Sequence, residues 1–294
     1  MVVNATLDAA VFLLLLGAAV VGLTTADAGS QPTLDDGRSD AVANVLATST
    51  ATVNYSLSPG ARRANESGAD FRRTSGPEFE RTTHGSLAGL LARVTVGTAG
   101  FDGTPVTHAR DDFRSSVREA ITARLVPTGL RIDAAWRPYP DAPVEGHVAV
   151  GASPPQSAAT DAATLTIPTR TQSLPANETD DFESLSNAVA AQTIETVAPA
   201  SRTRLALRGD PPVSTLVRYR YARLAAALNV SVEDPIADAD TDVANQRLAD
   251  ALAPRVESDL RARYDSPADA AAAVSVSEVR IVVRTWGDES EGGR

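Results

Sequence analysis

Cysteine is absent from the chain, which excludes disulfides, cysteine-ligated zinc, iron–sulfur clusters and thiol nucleophiles, and leaves the redox compartment open. Lysine is absent too: all 27 basic residues are arginine, set against 37 acids for a formal net charge of -10. Phosphate backbones are bound by basic faces, so this balance argues against nucleic acid as a partner. Aromatic residues make up only 4% of the sequence, so a core has to be assembled mainly from Ala, Val and Leu. With 43% hydrophobic residues over 294 positions the chain can still bury one or two domains' worth of core.

A large excess of acid keeps a protein soluble at the cost of self-repulsion. Molar salt, where the Debye length is about 3 Å, removes most of that cost. The composition resembles that of proteins from extremely halophilic archaea. Because such surfaces are acidic everywhere, an Asp cluster alone does not indicate a metal site.

Long charge-free runs are scarce as well, with one exception. Residues 9–26 carry no charge, and Val11 to Leu16 is a dense apolar block. A helix of that length reaches about 27 Å against a hydrocarbon core of about 30 Å. The expected division is a short tail (1–8), a transmembrane helix (9–26) contacting the lipid bilayer, a linker (27–38), an α+β soluble domain (39–286) and a polar tail (287–294). A cleaved signal peptide and a buried core helix are the alternatives; Ala26-Asp27-Ala28 fits a small-residue cleavage site, but Met1 to Asp8 lacks the basic n-region such signals carry. Orientation is argued both ways. Arg38, the first cation after the run, favours a cytoplasmic domain. Asn-x-Ser/Thr sequons favour an extracellular one: they begin at Asn4, Asn54, Asn65, Asn177 and Asn229, five of eight asparagines, where composition predicts about 1.4. The expectation adopted is a single-pass cell-membrane protein with an extracellular C-terminal domain, Asn54, Asn65, Asn177 and Asn229 being glycosylation candidates.

Periodicity divides the rest. Residues 39–49 read as helix and 50–57 as strand, and Ser58 to Glu80, rich in Gly, Ser and charge, as an exposed loop. Leu87, Leu90, Leu91 and Val94 have the spacing of one helical face, and Phe113, Val117, Ile121 and Leu125 recur every four residues on another. Residues 129–136, 145–151 and 162–168 read as strands, the first two joined as a hairpin. Helices are expected over 181–198, 212–228 and 242–263, the last bent at Pro254. A final strand, with Val279, Ile281 and Val283 on one face, is expected to join the earlier strands in a single sheet. The fold class is therefore α+β: one N-terminal transmembrane helix, then a mixed helical and antiparallel-sheet extracytoplasmic domain.

Motifs that carry chemistry are thin. Asp238, Asp240 and Asp242 have the first three spacings of a calcium loop, but Val243 and Ala249 stand where it needs Gly and Glu, so a helix cap is the better reading. His84, His108 and His147 form no ligand-spaced pair, and Gly97, Gly100 and Gly103 match no phosphate loop, which leaves a flexible turn. Arg218, Arg220 and Arg223 interleave with Tyr219 and Tyr221; helical spacing puts Tyr221 on the apolar face and spreads the arginines over a solvated one with internal ion pairs. An arginine-rich helix meeting an acidic partner is the alternative. No catalytic residue, cofactor or metal site is assigned.

The phrases LDAAVFLLLLGAAV, HGSLAGLLARV and HVAVGASPP, taken with the lysine-free composition, resemble an uncharacterised haloarchaeal family with one N-terminal membrane helix. The resemblance implies association with pilus-like or secretion-like assemblies rather than catalysis. No Lys/Arg-Gly processing site precedes the apolar run, so an anchored accessory subunit fits better than a major pilin. The functional expectation is a non-catalytic, membrane-anchored structural or accessory component of a pilus-like surface assembly in a halophile, with other assembly subunits as partners. The alternatives are a membrane-tethered enzyme or ligand-binding module, and a secreted soluble protein cleaved near Ala28.

Overall fold

A computed structural model describes residues 37–125, 129–169 and 181–287. The apolar run at 9–26 lies outside them, as do Asn4 and Asn177. Among the described residues no helix is long and apolar enough to cross a membrane.

The fold is α+β with antiparallel sheets. A six-stranded sheet has the order β4-β3-β6-β5-β8-β7, built from β3 (Gly100–Phe101), β4 (Thr104–Pro105), β5 (Leu130–Trp136), β6 (Val144–Gly151), β7 (Thr160–Pro168) and β8 (Glu278–Trp286). The expected hairpin is β5–β6, with Arg131 opposite Gly151 and Trp136 opposite Gly146. The final strand β8 lies between β5 and β7. Alternation puts Ile132, Ala134, Val148, Ile281 and Val283 on the buried face. On the other face Asp133 accepts from Arg131 Nε and Arg284 Nη1, each at 2.9 Å.

The expectation of a single sheet is corrected. Strand β1 (Thr50–Ser56) pairs instead with β2 (Glu80–Ser86) in a separate antiparallel ribbon. Nothing apolar in ERTTHGS announces β2; it is a half-exposed strand held by its neighbour's backbone. The expected loop at Ser58 to Glu80 is corrected as well, because it holds helix α2 (Ser58–Glu66) and a 3-10 turn (Pro77–Phe79). Pro59 stands in the first turn of α2, where a missing N–H costs nothing. Gly60 allows a close approach: a Cβ there would lie 2.5 Å from the His108 carbonyl oxygen.

Helix α3 (Leu87–Gly97) covers the buried face of the main sheet, and α1 (Arg38–Thr48) covers β7 and β8. All four residues of the predicted α3 face are fully buried, and Ser86 caps the helix by accepting from Gly89 N at 3.1 Å. Where α3 crosses β6, a Cβ on Gly146 would run into the Thr95 carbonyl oxygen. Helix α4 (Asp111–Thr122) buries Phe113, Val117 and Ile121. The second half of the chain gives α5 (Phe182–Val197), α6 (Ala200–Leu207), α7 (Val213–Leu228), α8 (Glu233–Ala237), α9 (Thr241–Arg263) and α10 (Pro267–Ala272). Of these, α6, α8 and α10 were not expected. Helix α9 continues through Pro254 and packs along α5, which also touches α3.

Candidate functional site

A cleft of about 760 Å³ opens between α3 with the β1–β2 ribbon on one side and α6–α7 on the other. Apolar side chains make much of its wall, including Val96, Ile167, Val213, Leu216 and Val217. Its charged lining is one-sided: Arg81, Arg93, Arg110, Arg202 and Arg220 against a single acid, Glu195. In a chain of net charge -10 this is a local inversion of sign.

Each arginine arrives from a different element. Arg220 is on α7, half-buried, and its Nη1 donates to the Val197 carbonyl at the end of α5, 3.0 Å away. No carboxylate pairs with it among the described residues. Burial first, and then the neighbouring Arg110 cation, push its pKa down to about 10; the guanidinium nonetheless stays charged at neutral pH. Apart from Ser186 Oγ, no sealed side-chain nitrogen or oxygen among the described residues lacks a hydrogen-bond partner. The other nitrogens of Arg220 are therefore not sealed, and the residue lines the cleft. Arg93 and Arg110 are positioned by one ring: their guanidinium carbons lie 5.8 and 5.5 Å from the centroid of buried Phe113, in range for cation–π attraction. The stem of Arg110 also rests on Gly97, where an added Cβ would meet its Cγ at 3.0 Å.

Glu195 makes no ion pair with these arginines among the described residues. Its carboxylate caps α6, accepting from Ala200 N at 3.0 and 3.2 Å and from Asn245 Nδ2 at 3.3 Å. Behind the α5–α6–α7 wall lies a sealed polar network. Tyr221 donates to Asn245 Oδ1 at 2.7 Å and lies 3.1 Å from Thr203 Oγ1, while Asn245 Nδ2 donates to the Ala198 carbonyl at 2.8 Å. Burial is the main reason that the Tyr221 phenol is pushed up to about 12.

The residues singled out in the sequence are kept apart. His84 touches Thr52 Oγ1 at 3.1 Å on the ribbon, His108 faces Asp111 at 3.3 Å, and exposed His147 faces Asp133 at 3.4 Å on the outer sheet face. Asp238 ends α8, Asp240 caps α9 by accepting from Val243 N at 3.3 Å, and Asp242 pairs with Arg204 at 3.1 Å. No group of three His, Asp or Glu placed to hold a metal occurs among the described residues. Gly97 ends α3, while Gly100 and Gly103 belong to the tight β3–β4 hairpin, with Asp102 and Gly103 at φ of 48° and 75°. On α7 the tyrosines are both buried, and the arginines form no ion pairs among the described residues: Arg218 donates to the Ile236 carbonyl, Arg220 to Val197 and Arg223 to Pro105. The expectation of internal ion pairs along that helix is thereby corrected. Among the sequons, Asn54, Asn65 and Asn229 are exposed.

A smaller hollow of about 260 Å³ beside Asp141, Asp259 and Arg263 is internally satisfied. Arg263 Nη2 lies 2.5 Å from Asp141, holding its carboxyl below the usual range, and Tyr139 donates to Asp259 at 2.8 Å.

The chain belongs to a family of unknown function (DUF7284), whose model matches residues 7–286. No curated protein and no solved structure matches it significantly.

Proposed function

We propose that the protein is a membrane-tethered, extracytoplasmic component of a cell-surface assembly in a halophile, and that its head works by binding rather than by catalysis. The observation that carries the binding reading is the cleft: its charged lining is guanidinium, and the one acid there, Glu195, is committed to capping a helix. A nucleophile with an adjacent base, or two carboxyls of opposed protonation, would favour an enzyme. The cleft brings together arginines that could hold a charged ligand, and its one acid among the described residues is engaged at the start of α6.

The tether reading rests on the charge-free run at 9–26 and on the surplus of sequons, three of which sit on exposed asparagines. The salt-adapted composition supports a halophilic setting. The association with a pilus-like system comes from the sequence resemblance, and it favours an accessory subunit over a polymerising one.

Fractionation of cells expressing the full chain, combined with protease shaving of intact cells, tests the tether. Full-length protein in washed membranes, with a head digested from outside, is the expected result. A form beginning near Gly29 in the medium, or a head protected inside the cell, overturns it.

A further inference from the structure

Arg220 and Arg110 line the same cleft, each partly withdrawn from water, with no carboxylate paired to either among the described residues. Buried charges are ordinarily paired, because an uncompensated one is expensive. Phe113 and Gly97 fix Arg110, the Val197 carbonyl fixes Arg220, and Glu195 is turned toward the start of α6. An anion would pair with both. A guanidinium with several N–H groups suits a planar or tetrahedral oxyanion, which it can grip through two parallel bonds.

The rest of the wall says what else the ligand carries. Val213, Leu216 and Val217, three to seven residues before Arg220 on α7, line the same cleft as Val96 of α3. A volume of about 760 Å³ is within the range of small-molecule sites and larger than a lone phosphate requires. We propose that the cleft binds an organic anion, with a phosphate or carboxylate head held between Arg220 and Arg110 and an apolar body laid along Val96, Val213, Leu216 and Val217. The inference rests on the binding reading given above and is independent of the tether.

The test is isothermal titration of the full chain in non-ionic detergent with four probes: phenyl phosphate, 4-phenylbutyrate, inorganic phosphate and benzyl alcohol. The two organic anions should bind more tightly than the other two, and their order assigns the head as phosphate or carboxylate. Arg220→Met should weaken them about tenfold to a hundredfold, the cost of a lost charged hydrogen bond. Arg220→Lys should recover only part, since an ammonium lacks the fork. Val217→Glu, which places a carboxylate beside the guanidinium, is a second variant that should block the anions should Arg220→Met not fold. Benzyl alcohol binding as tightly as the anions would overturn the inference and leave a binding head standing. Inorganic phosphate matching phenyl phosphate would remove the apolar body. Anion affinity unmoved by both Arg220→Met and Arg110→Met, or no anion binding at all, would overturn the site itself.

Discussion

Replacing Tyr221 with Phe removes one oxygen from the network that joins four helices behind the cleft. Thr203 has other acceptors, the Pro199 and Ala200 carbonyls at 2.8 and 3.1 Å, so its hydroxyl is not stranded. Asn245 Oδ1 is, because the Tyr221 hydroxyl 2.7 Å away is its donor. A buried acceptor left without a partner costs about 1–3 kcal/mol, so the variant should lose about 2 kcal/mol. In a head of this size that corresponds to a fall in Tm of about 4–8 °C. The pH dependence gives a second, independent sign. A phenol raised from its ordinary value near 10 to about 12 is neutral in the folded state when it would already ionise in the unfolded chain. Its contribution is whole below pH 10 and is lost as pH climbs through 12, by up to about 2–3 kcal/mol at 1.36 kcal/mol per unit. Tyr139, raised by burial and by its bond to Asp259, titrates with the same sign. The informative quantity is therefore the difference between wild type and Tyr221→Phe across that window. Chemical denaturation with an unchanged slope, repeated on Asn245→Ala and on the double variant, is the assay. The double variant should cost clearly less than the sum of the singles. A loss below about 0.5 kcal/mol, strict additivity, or an identical alkaline limb in the variant would refute the network as described.

Three further outcomes follow from the same packing. Arg220→Met trades an unpaired, partly buried cation and one bond to the Val197 carbonyl for apolar volume, so the unliganded head should gain about 1–2 kcal/mol; a loss of stability by thermal melting would show that the carbonyl bond matters more than the charge. Gly146→Ala drives a methyl into the Thr95 carbonyl where α3 crosses β6 and should cost about 1–3 kcal/mol, read as a lower denaturation midpoint. Pro254→Ala restores an amide to an exposed position inside α9 and should raise the midpoint, by an amount up to the ~3 kcal/mol that proline costs in a helix interior.

The apolar stripes of α3 and α4 and the alternating strands β5, β6 and β8 were readable because burial selects residues at the period of the element: Leu87, Leu90, Leu91, Phe113, Ile132 and Ile281 are all fully buried. Strand β2 was invisible for the opposite reason, since a half-exposed ribbon places no demand on hydrophobicity. In α2 the residues that suggested a loop, Pro59 and Gly60, were a first-turn proline and a contact glycine. The cleft is the extreme case. Arg220 stood out in the sequence for the wrong companions, its adjacent tyrosines, which fold inward. Three of the arginines that share its cleft, Arg81, Arg93 and Arg110, come from segments more than a hundred positions away, and no local pattern relates them to it. Only the tertiary fold makes a cluster of charges that are unremarkable one at a time.

The first turn of α1 is clasped to strands β7 and β8: Ser39 donates to Asp161 on β7 through both its backbone N–H and its hydroxyl, and Arg38 donates to the carbonyl of Trp286. The head thus begins and finishes at one corner. A fluorophore or affinity handle placed after Trp286 would ride beside the first turn of α1. The same proximity makes the domain a natural subject for circular permutation, with old ends joined by a short bridge and new ones cut in the β3–β4 hairpin.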